Sequence, residues 1–355
     1  MKEKLTLVYP RCEDAIRTMR LRALLEEVLG NYETEEMIET VDAFGPLKNR
    51  RIIFAIPLGI SGVNLEYCRF LKKMRTDPFM LEGSVGGIII DGESELYTKS
   101  VARGLIFTAN QAGCTFPGRA MVEGTKDLLN YNIQAMNLET DNLTAYHISA
   151  GEMVKRVMEF QPLQKKRANI LVLHASNYGT SNTVGLWHMI KEHLEHCDIT
   201  EISLRNGTIQ DCSGCPYRMC MHFSEKSSCY YGGVITKEVY PGILACDAML
   251  ILAPNYNDAV SANITAFINR LTALFRKTQF YKKHLFAVVV SGYSGGDIVA
   301  EQLISALSMN KTFRLPPKFA MVETANDPAS ILKVEGIEER STAFAKGMMD
   351  VLVKR

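Results

Sequence analysis

Two short stretches of the chain carry residue types that do chemistry. The first reads Ser176-Asn177-Tyr178-Gly179-Thr180-Ser181-Asn182-Thr183. It follows a run of branched apolar residues, Ile170 to Leu173, and precedes an amphipathic helix pattern from about Val184 to His196. Strand, small polar loop and helix start is an arrangement that holds phosphate. The N–H groups of a first helical turn have no intrahelical partner and point outward with partial positive charge, and hydroxyls add further donors. Gly179 lets the backbone take positive φ or approach a ligand closely. A plain strand-to-helix turn with a polar cap is the competing account of the same residues. The second stretch runs from Cys212 through Cys215 and Cys220 to Cys229, with the spacing C-x2-C-x4-C-x8-C. Four thiols this close can surround one iron–sulfur cluster. Zinc held by the four, or by three with His222, is an alternative. Free thiols, or a Cys212–Cys215 redox pair, are another.

The elements that must position these residues are legible as alternating apolar strands and amphipathic helices. Strands are predicted over 5–9, 51–56, 85–90 and 119–123, with helices over 13–29, 64–74 and 95–111. A last helix ends near Phe160, capped by Asp141 or Ser149. The polar segment 161–167 reads as a linker. The pattern then restarts: strands over 170–173, 199–204, 249–252, 285–290 and 319–323, and helices over 184–196, 259–275, 298–309 and 337–353. Strands alternating with helices imply parallel sheets covered on both faces. Right-handed crossovers then favour two tandem doubly wound parallel sheets of the flavodoxin type, over 1–160 and 168–355.

The halves also match in residues. Ile53-Phe54-Ala55-Ile56-Pro57 stands against Leu250-Ile251-Leu252-Ala253-Pro254, and Ala120-Met121-Val122-Glu123 returns as Ala320-Met321-Val322-Glu323. Gly87 to Gly92 stands against Ala287 to Gly292. A tandem duplication is the expectation. The first-strand loop of the first half, Pro10-Arg11-Cys12-Glu13-Asp14-Ala15, has no glycine and no hydroxyl, and its two carboxylates repel phosphate. The first half is therefore expected to be a structural copy without a ligand site.

The 355 residues suit two domains. A net charge of +1 makes no electrostatic case for a nucleic-acid or anionic-membrane partner. No apolar run approaches membrane-spanning length, and Met1-Lys2-Glu3-Lys4 leads straight into a strand, so the expected location is the cytoplasm. There the nine cysteines do not form a disulfide framework. Cys12, Cys68, Cys114, Cys197 and Cys246 read as buried small apolar groups. His188, His193 and His196 read as a solvated helix face, and Trp187 as packing.

Ligands of a doubly wound sheet sit outside the carboxyl ends of its strands. Besides Ser176–Thr183, two loops of the second half fall there. One is Pro254-Asn255-Tyr256-Asn257, running on to Asp258, Ala259 and Val260; the other is Ser291-Gly292-Tyr293-Ser294-Gly295-Gly296-Asp297. They offer rings, amides and exposed backbone for a flat heterocycle, with Tyr256 and Tyr293 able to stack on it.

These three loops resemble those of the flavodoxin-fold NAD(P)H-dependent FMN reductases, including the iron–sulfur flavoproteins, over roughly residues 168–355. The phosphate loop corresponds to Ser176–Thr183. A Pro-x-Tyr segment corresponds to Pro254-Asn255-Tyr256, leading into a helix that ends Phe267-Ile268-Asn269-Arg270, where the family more often has Asp-Arg. Thr265 stands where a lysine is common. The Gly-rich loop corresponds to Gly292, Gly295 and Gly296. A compact cysteine cassette lies at the same place in the iron–sulfur flavoproteins, with a second x2 gap where this chain has x4.

The resemblance implies an FMN-dependent oxidoreductase. The FMN phosphate would be held by Ser176, Asn177, Gly179, Thr180, Ser181, Asn182 and Thr183. The ring would be framed by Pro254, Asn255, Tyr256, Asn257, Ser291, Gly292, Tyr293, Gly295 and Gly296. Since neither G-x-G-x-x-G nor a Walker A sequence occurs, NAD(P)H is expected as a transient electron donor. A [4Fe-4S] cluster on Cys212, Cys215, Cys220 and Cys229 would pass electrons to a small-molecule or protein acceptor. A homo-oligomer, or an internal pseudo-dimer of the two halves, is implied. No side chain is assigned as a general acid or base. An FMN-holding redox sensor without turnover and a flavin-free thiol or zinc protein are the alternatives.

Overall fold

The computed structural model describes residues 4–13, 18–176, 179–205, 207 and 209–354. The chain divides into two compact units, Met1–Gln161 and Pro162–Arg355.

The first unit runs β1 (Lys4–Val8), α1 (Thr18–Leu29), β2 (Glu33–Ile38), β3 (Arg51–Leu58), α2 (Leu65–Thr76), β4 (Val85–Gly92), α3 (Thr98–Gln111), β5 (Met121–Gly124), α4 (Asn132–Asn137) and α5 (Asn142–Met158). Its strands are all parallel in the order β2-β1-β3-β4-β5. The second unit runs β6 (Ala168–His174), α6 (Asn182–Lys191), β7 (Cys197–Ser203), α7 (Tyr217–Ser224), α8 (Tyr240–Ala245), β8 (Ala248–Pro254), α9 (Ala262–Phe275), β9 (His284–Ser291), α10 (Gly296–Leu303), β10 (Ala320–Thr324) and α11 (Ile337–Leu352). Its order β7-β6-β8-β9-β10, again all parallel, repeats that topology. Both sheets are thus doubly wound, and in each the order in which strands are added reverses beside the first strand.

The central strands are apolar on both faces because helices cover both. In the second unit, Ile170, Val172, Ala248, Leu250, Phe286 and Val288 share a core with α6 and α11 residues such as Trp187, Leu186 and Met348. Period-two alternation turns Leu171, Leu173, Met249, Ile251 and Val289 the other way, and all are at most 1% exposed. Trp187 is fully buried there, as packing requires. Several helix starts carry side-chain caps. The Ser181 hydroxyl accepts from Val184 N at 3.3 Å, and of the two caps expected for α5, Asp141 is used, accepting from Thr144 N at 2.7 Å.

Several expectations need correction. The edge strand β2 has no predicted counterpart: Glu33-Thr34-Glu35-Glu36-Met37 is exposed throughout, and charge on an edge hides the strand signal while protecting it from mispairing. Helix α6 ends at Lys191, and His196 takes a positive φ of 58° instead of continuing it. The regular α-helix α10 ends at Leu303, and Ile304–Met309 continues as a wider π-turn. Lys165 is no free linker residue, since its N–H donates to Leu352 O and its carbonyl accepts from Lys354 N. Cys68 is exposed rather than buried. The match between the halves holds in register for one strand pair only. Ile88 pairs with Met121 as Val288 pairs with Met321, but Ile53 pairs with Gly87 whereas Leu250 pairs with Phe286, one residue short of the matched Ala287. Pro57 and Pro254 therefore are not equivalent positions.

His284, at the start of β9, is 4% exposed, and its Nδ1 has no hydrogen-bond partner. Burial, with the Arg314 guanidinium nearby, pushes its pKa down to about 4. The unfolded chain protonates this group near pH 6.5, so between 6.5 and 4 the unfolded state binds more protons and stability falls as pH falls. Denaturant melts of His284→Leu should lose less stability than wild type across that window, by up to about 3 kcal/mol. Equal slopes would remove the buried neutral histidine from the account.

Candidate functional site

In the second unit β6 is flanked by β7 and β8, so the crevice of the topological switch opens beyond their carboxyl ends. Ser176 lies two residues past β6. It is 3% exposed, and its hydroxyl has no hydrogen-bond partner. Leaving a buried hydroxyl unmatched costs about 1–3 kcal/mol, so such a group marks a place where a further acceptor fits. Thr183 is buried and Thr180 exposed. Gly179 is not left-handed, and a Cβ there would meet nothing within 4 Å, so its role reduces to leaving approach open. The side-chain amide of Asn182 is engaged within the fold. Its Nδ2 donates to Ala325 O and Asp327 O at 3.0 and 2.9 Å, and its Oδ1 accepts from Ile331 N, fastening α6 to the loop after β10. Asn177 lies outside the described residues.

The loop after β8 is a tight reversal. Tyr256 and Ala259 exchange backbone hydrogen bonds at 3.0 and 3.1 Å, and Asn257 and Asp258 between them have φ of 52° and 58°. Positive φ at both central positions makes a type I′ turn, which suits Asn and Asp. The turn presents Tyr256, which is 54% exposed. Asn255 joins this loop to the one after β9: its Nδ2 donates to Ser294 O at 2.9 Å and to the Ser291 hydroxyl at 3.2 Å, and its Oδ1 accepts from Asp258 N. Gly295 at φ 80° admits that contact, because a Cβ there would lie 2.0 Å from Asp258 Oδ1. Tyr293 stands 81% exposed, its hydroxyl accepting from Asn326 Nδ2 at 3.1 Å. The expected ring-framing residues of these two loops thus form one knit unit. Asp258 and Asn326 belong to it, although only their loop positions could have pointed to them.

The four cysteines of the cassette line a single cavity of about 150 Å³ with Asn269, Arg270 and Arg276 of α9 and its end. Cys212 is exposed, and Cys215, Cys220 and Cys229 are partly buried. None of the nine cysteines is in a disulfide, and among the described residues no group of three potential ligands is drawn together at metal-binding geometry. His222 packs edge-on against Phe223, 5.5 Å between centroids, and is not part of the cavity wall. Arg270 lies inside α9 rather than at its end. It clasps the cassette, with Nη1 donating to Gln210 O at 3.3 Å and Nη2 to Gly232 O at 2.5 Å. Asn269, where the family's aspartate is expected, donates to Asp211 Oδ1 at 3.0 Å just before Cys212.

Residues 168–327 match the family model of the NADPH-dependent FMN reductases. The resemblance read from the three loops therefore holds over residues 168–327 of the second unit. The match does not reach the first unit. Similar solved structures include the NAD(P)H:quinone oxidoreductase from Methanothermobacter marburgensis, at 12% identity over 52% of this chain and 96% of that one, TM-score 0.37. An azoreductase from Bacillus anthracis is similar at 13% identity over 51% of this chain and 98% of that one, TM-score 0.36. No curated protein matches the sequence. Among the described residues, no helix is long and apolar enough to cross a membrane.

The strand ends of the first unit look different. Asp91 on β4, its side chain 1% exposed, accepts from Arg20 Nε and Nη2 at 2.8 and 2.7 Å. Arg20 also donates to Thr125 O and Lys126 O. Burial, with Asp91 beside it, pushes the Tyr146 phenol up, so it stays protonated and donates to Asp91 at 3.1 Å. Arg11 is turned away onto Glu39, and Asp14 and Ala15 of the first-strand loop lie outside the described residues. An ion pair with its hydrogen bonds thus occupies strand-end space that carries loops and an unmatched hydroxyl in the second unit. Arg20→Leu should cost about 3–5 kcal/mol in urea unfolding, because it removes the cationic half of a buried ion pair. A loss under 1 kcal/mol would mean that the pair is not what holds this end together.

Proposed function

We propose that the protein is an FMN-dependent oxidoreductase that takes reducing equivalents from NAD(P)H and delivers them to a small-molecule or protein acceptor. The observation that carries this reading is the buried, unmatched Ser176 hydroxyl at the switch point, inside the segment that matches the FMN reductase family. When bound, FMN supplies the hydride and single-electron chemistry. The chain's own residues bind and orient. Ser176 would donate to the phosphate, with Thr180 and the open backbone at Gly179 beside it and the N-terminus of α6 behind. Ser181 and Asn182 keep that helix start in place through the cap and the tie to residues 325–331. Tyr256 and Tyr293 would cover the ring, and Asn255 fixes the spacing of the two loops that carry them.

The cassette supports a second element of the same reading, a [4Fe-4S] cluster on Cys212, Cys215, Cys220 and Cys229 that exchanges single electrons with the flavin. What favours it is the shared cavity, which is smaller than the roughly 300–1,000 Å³ of pockets for organic ligands. The tandem duplication, with the first unit as a copy lacking a flavin site, is part of the proposal. It draws on the shared topology and on the Arg20–Asp91 pair.

The protein should purify yellow, and anaerobic NADPH or NADH should bleach its flavin absorbance. Ser176→Ala, which removes the donor without adding bulk, should weaken FMN binding by about 1.5–3 kcal/mol, roughly ten- to a hundredfold in Kd. A flavin that binds but is not reduced by either nucleotide would favour a sensor. A protein that stays colourless after incubation with FMN would leave the thiol or zinc reading.

A further inference from the structure

The cassette cavity contains a charge imbalance. Its wall carries two guanidinium groups, Arg270 and Arg276, and no carboxylate. Among the described residues neither arginine makes an ion pair with Asp or Glu. Arg270 is 2% exposed, and its Nε has no hydrogen-bond partner. Its other contacts are carbonyl oxygens and the face of Tyr231, 5.8 Å from the ring centroid. A charge buried among neutral groups is costly unless an anion matches it. The wall also carries four cysteine sulfurs, which bind a metal group as thiolates. Arg276 already addresses one of them: its Nε donates to Cys220 Sγ at 3.4 Å, and its guanidinium lies over Tyr217 at 4.7 Å from the centroid. Stacking on Tyr217 holds the fork in the orientation that aims the donor at the sulfur.

We propose that Arg270 and Arg276 are the charge-compensating residues of the cassette, matched to a thiolate-bound group with net negative charge, and that Arg276 raises its reduction potential through the N–H donor on Cys220. The inference rests on the cassette holding an iron–sulfur cluster. Reduction adds an electron to a group that is already anionic. A guanidinium donor on a ligand sulfur stabilises the reduced form more than the oxidised one, which raises the potential. Arg270 has a second task, clasping Gln210 and Gly232, so substitution there would disturb folding. Arg276 is exposed, and its loss should leave the fold intact.

The test uses the full chain, reconstituted anaerobically with iron and sulfide, as wild type, Arg276→Met and Arg276→Lys. Iron and acid-labile sulfide are assayed first, and the midpoint potential is then followed by the cluster's visible absorbance. Cluster content should be equal in all three proteins. Arg276→Met should shift the one-electron equilibrium about tenfold toward the oxidised form, a midpoint lower by about 59 mV. Arg276→Lys, which keeps the charge and loses the fork, should fall between. A loaded Arg276→Met protein with the wild-type potential would overturn the role of the arginines while leaving the cluster in place. Wild type that takes up no iron and sulfide would overturn the cluster reading, and the inference with it.

Discussion

Everything at the functional end of the second unit depends on the position of β6 in an all-parallel sheet. A parallel sheet places the carboxyl ends of all its strands on one edge, and its crossovers cover both faces, so the loops on that edge are where the chain is free to vary. Because β7 and β8 lie on opposite sides of β6, the connections leaving β6 and β8 run to opposite faces and leave a crevice between them. Ser176, Asn255 and Ser291 stand at the ends of β6, β8 and β9 for this reason alone. The pairing of Ile170 and Leu171 with Ile199 and Thr200 on one side and Ala248 and Met249 on the other sets their heights.

Within that frame the site depends on short polar ties. Asn182 reaches the loop after β10, Asn255 joins the loops after β8 and β9, and Arg270 holds both ends of the cassette against α9. Each uses planar donors on backbone carbonyls, which fixes loop geometry without a large buried area. The first unit has the same topology, and there Arg20, Asp91 and Tyr146 close on one another. One architecture thus carries two outcomes, decided by whether the polar groups at the strand ends satisfy each other or are left for a ligand.

The fold was largely legible because the central strands are continuous apolar runs and the caps are ordinary Ser, Asn and Asp residues. What escaped were features whose signal is tertiary. Strand β2 is polar because it lies at an edge. The one-residue register difference between β3/β4 and β8/β9 leaves no trace in composition, which is why Pro57 and Pro254 looked equivalent. At the site, hydroxyl-rich spacing pointed to Ser176–Thr183, but residue type cannot separate Ser176, whose hydroxyl is unmatched, from Ser181 and Asn182, which hold the scaffold. Arg270 was visible only as part of a resemblance, and Arg276 had no sequence signal. The contact of Arg276 with Cys220 spans 56 residues and depends on the cassette folding back on α9.

The central claim is that one of two topologically alike units holds the flavin. The direct measurement is a titration of the flavin-stripped full chain with FMN, followed by quenching of flavin fluorescence. The account predicts saturation at one FMN per chain, and in Ser176→Ala a weakened curve with no second class of site emerging. Two FMN per chain, or saturable binding that Ser176→Ala leaves unchanged, would contradict it.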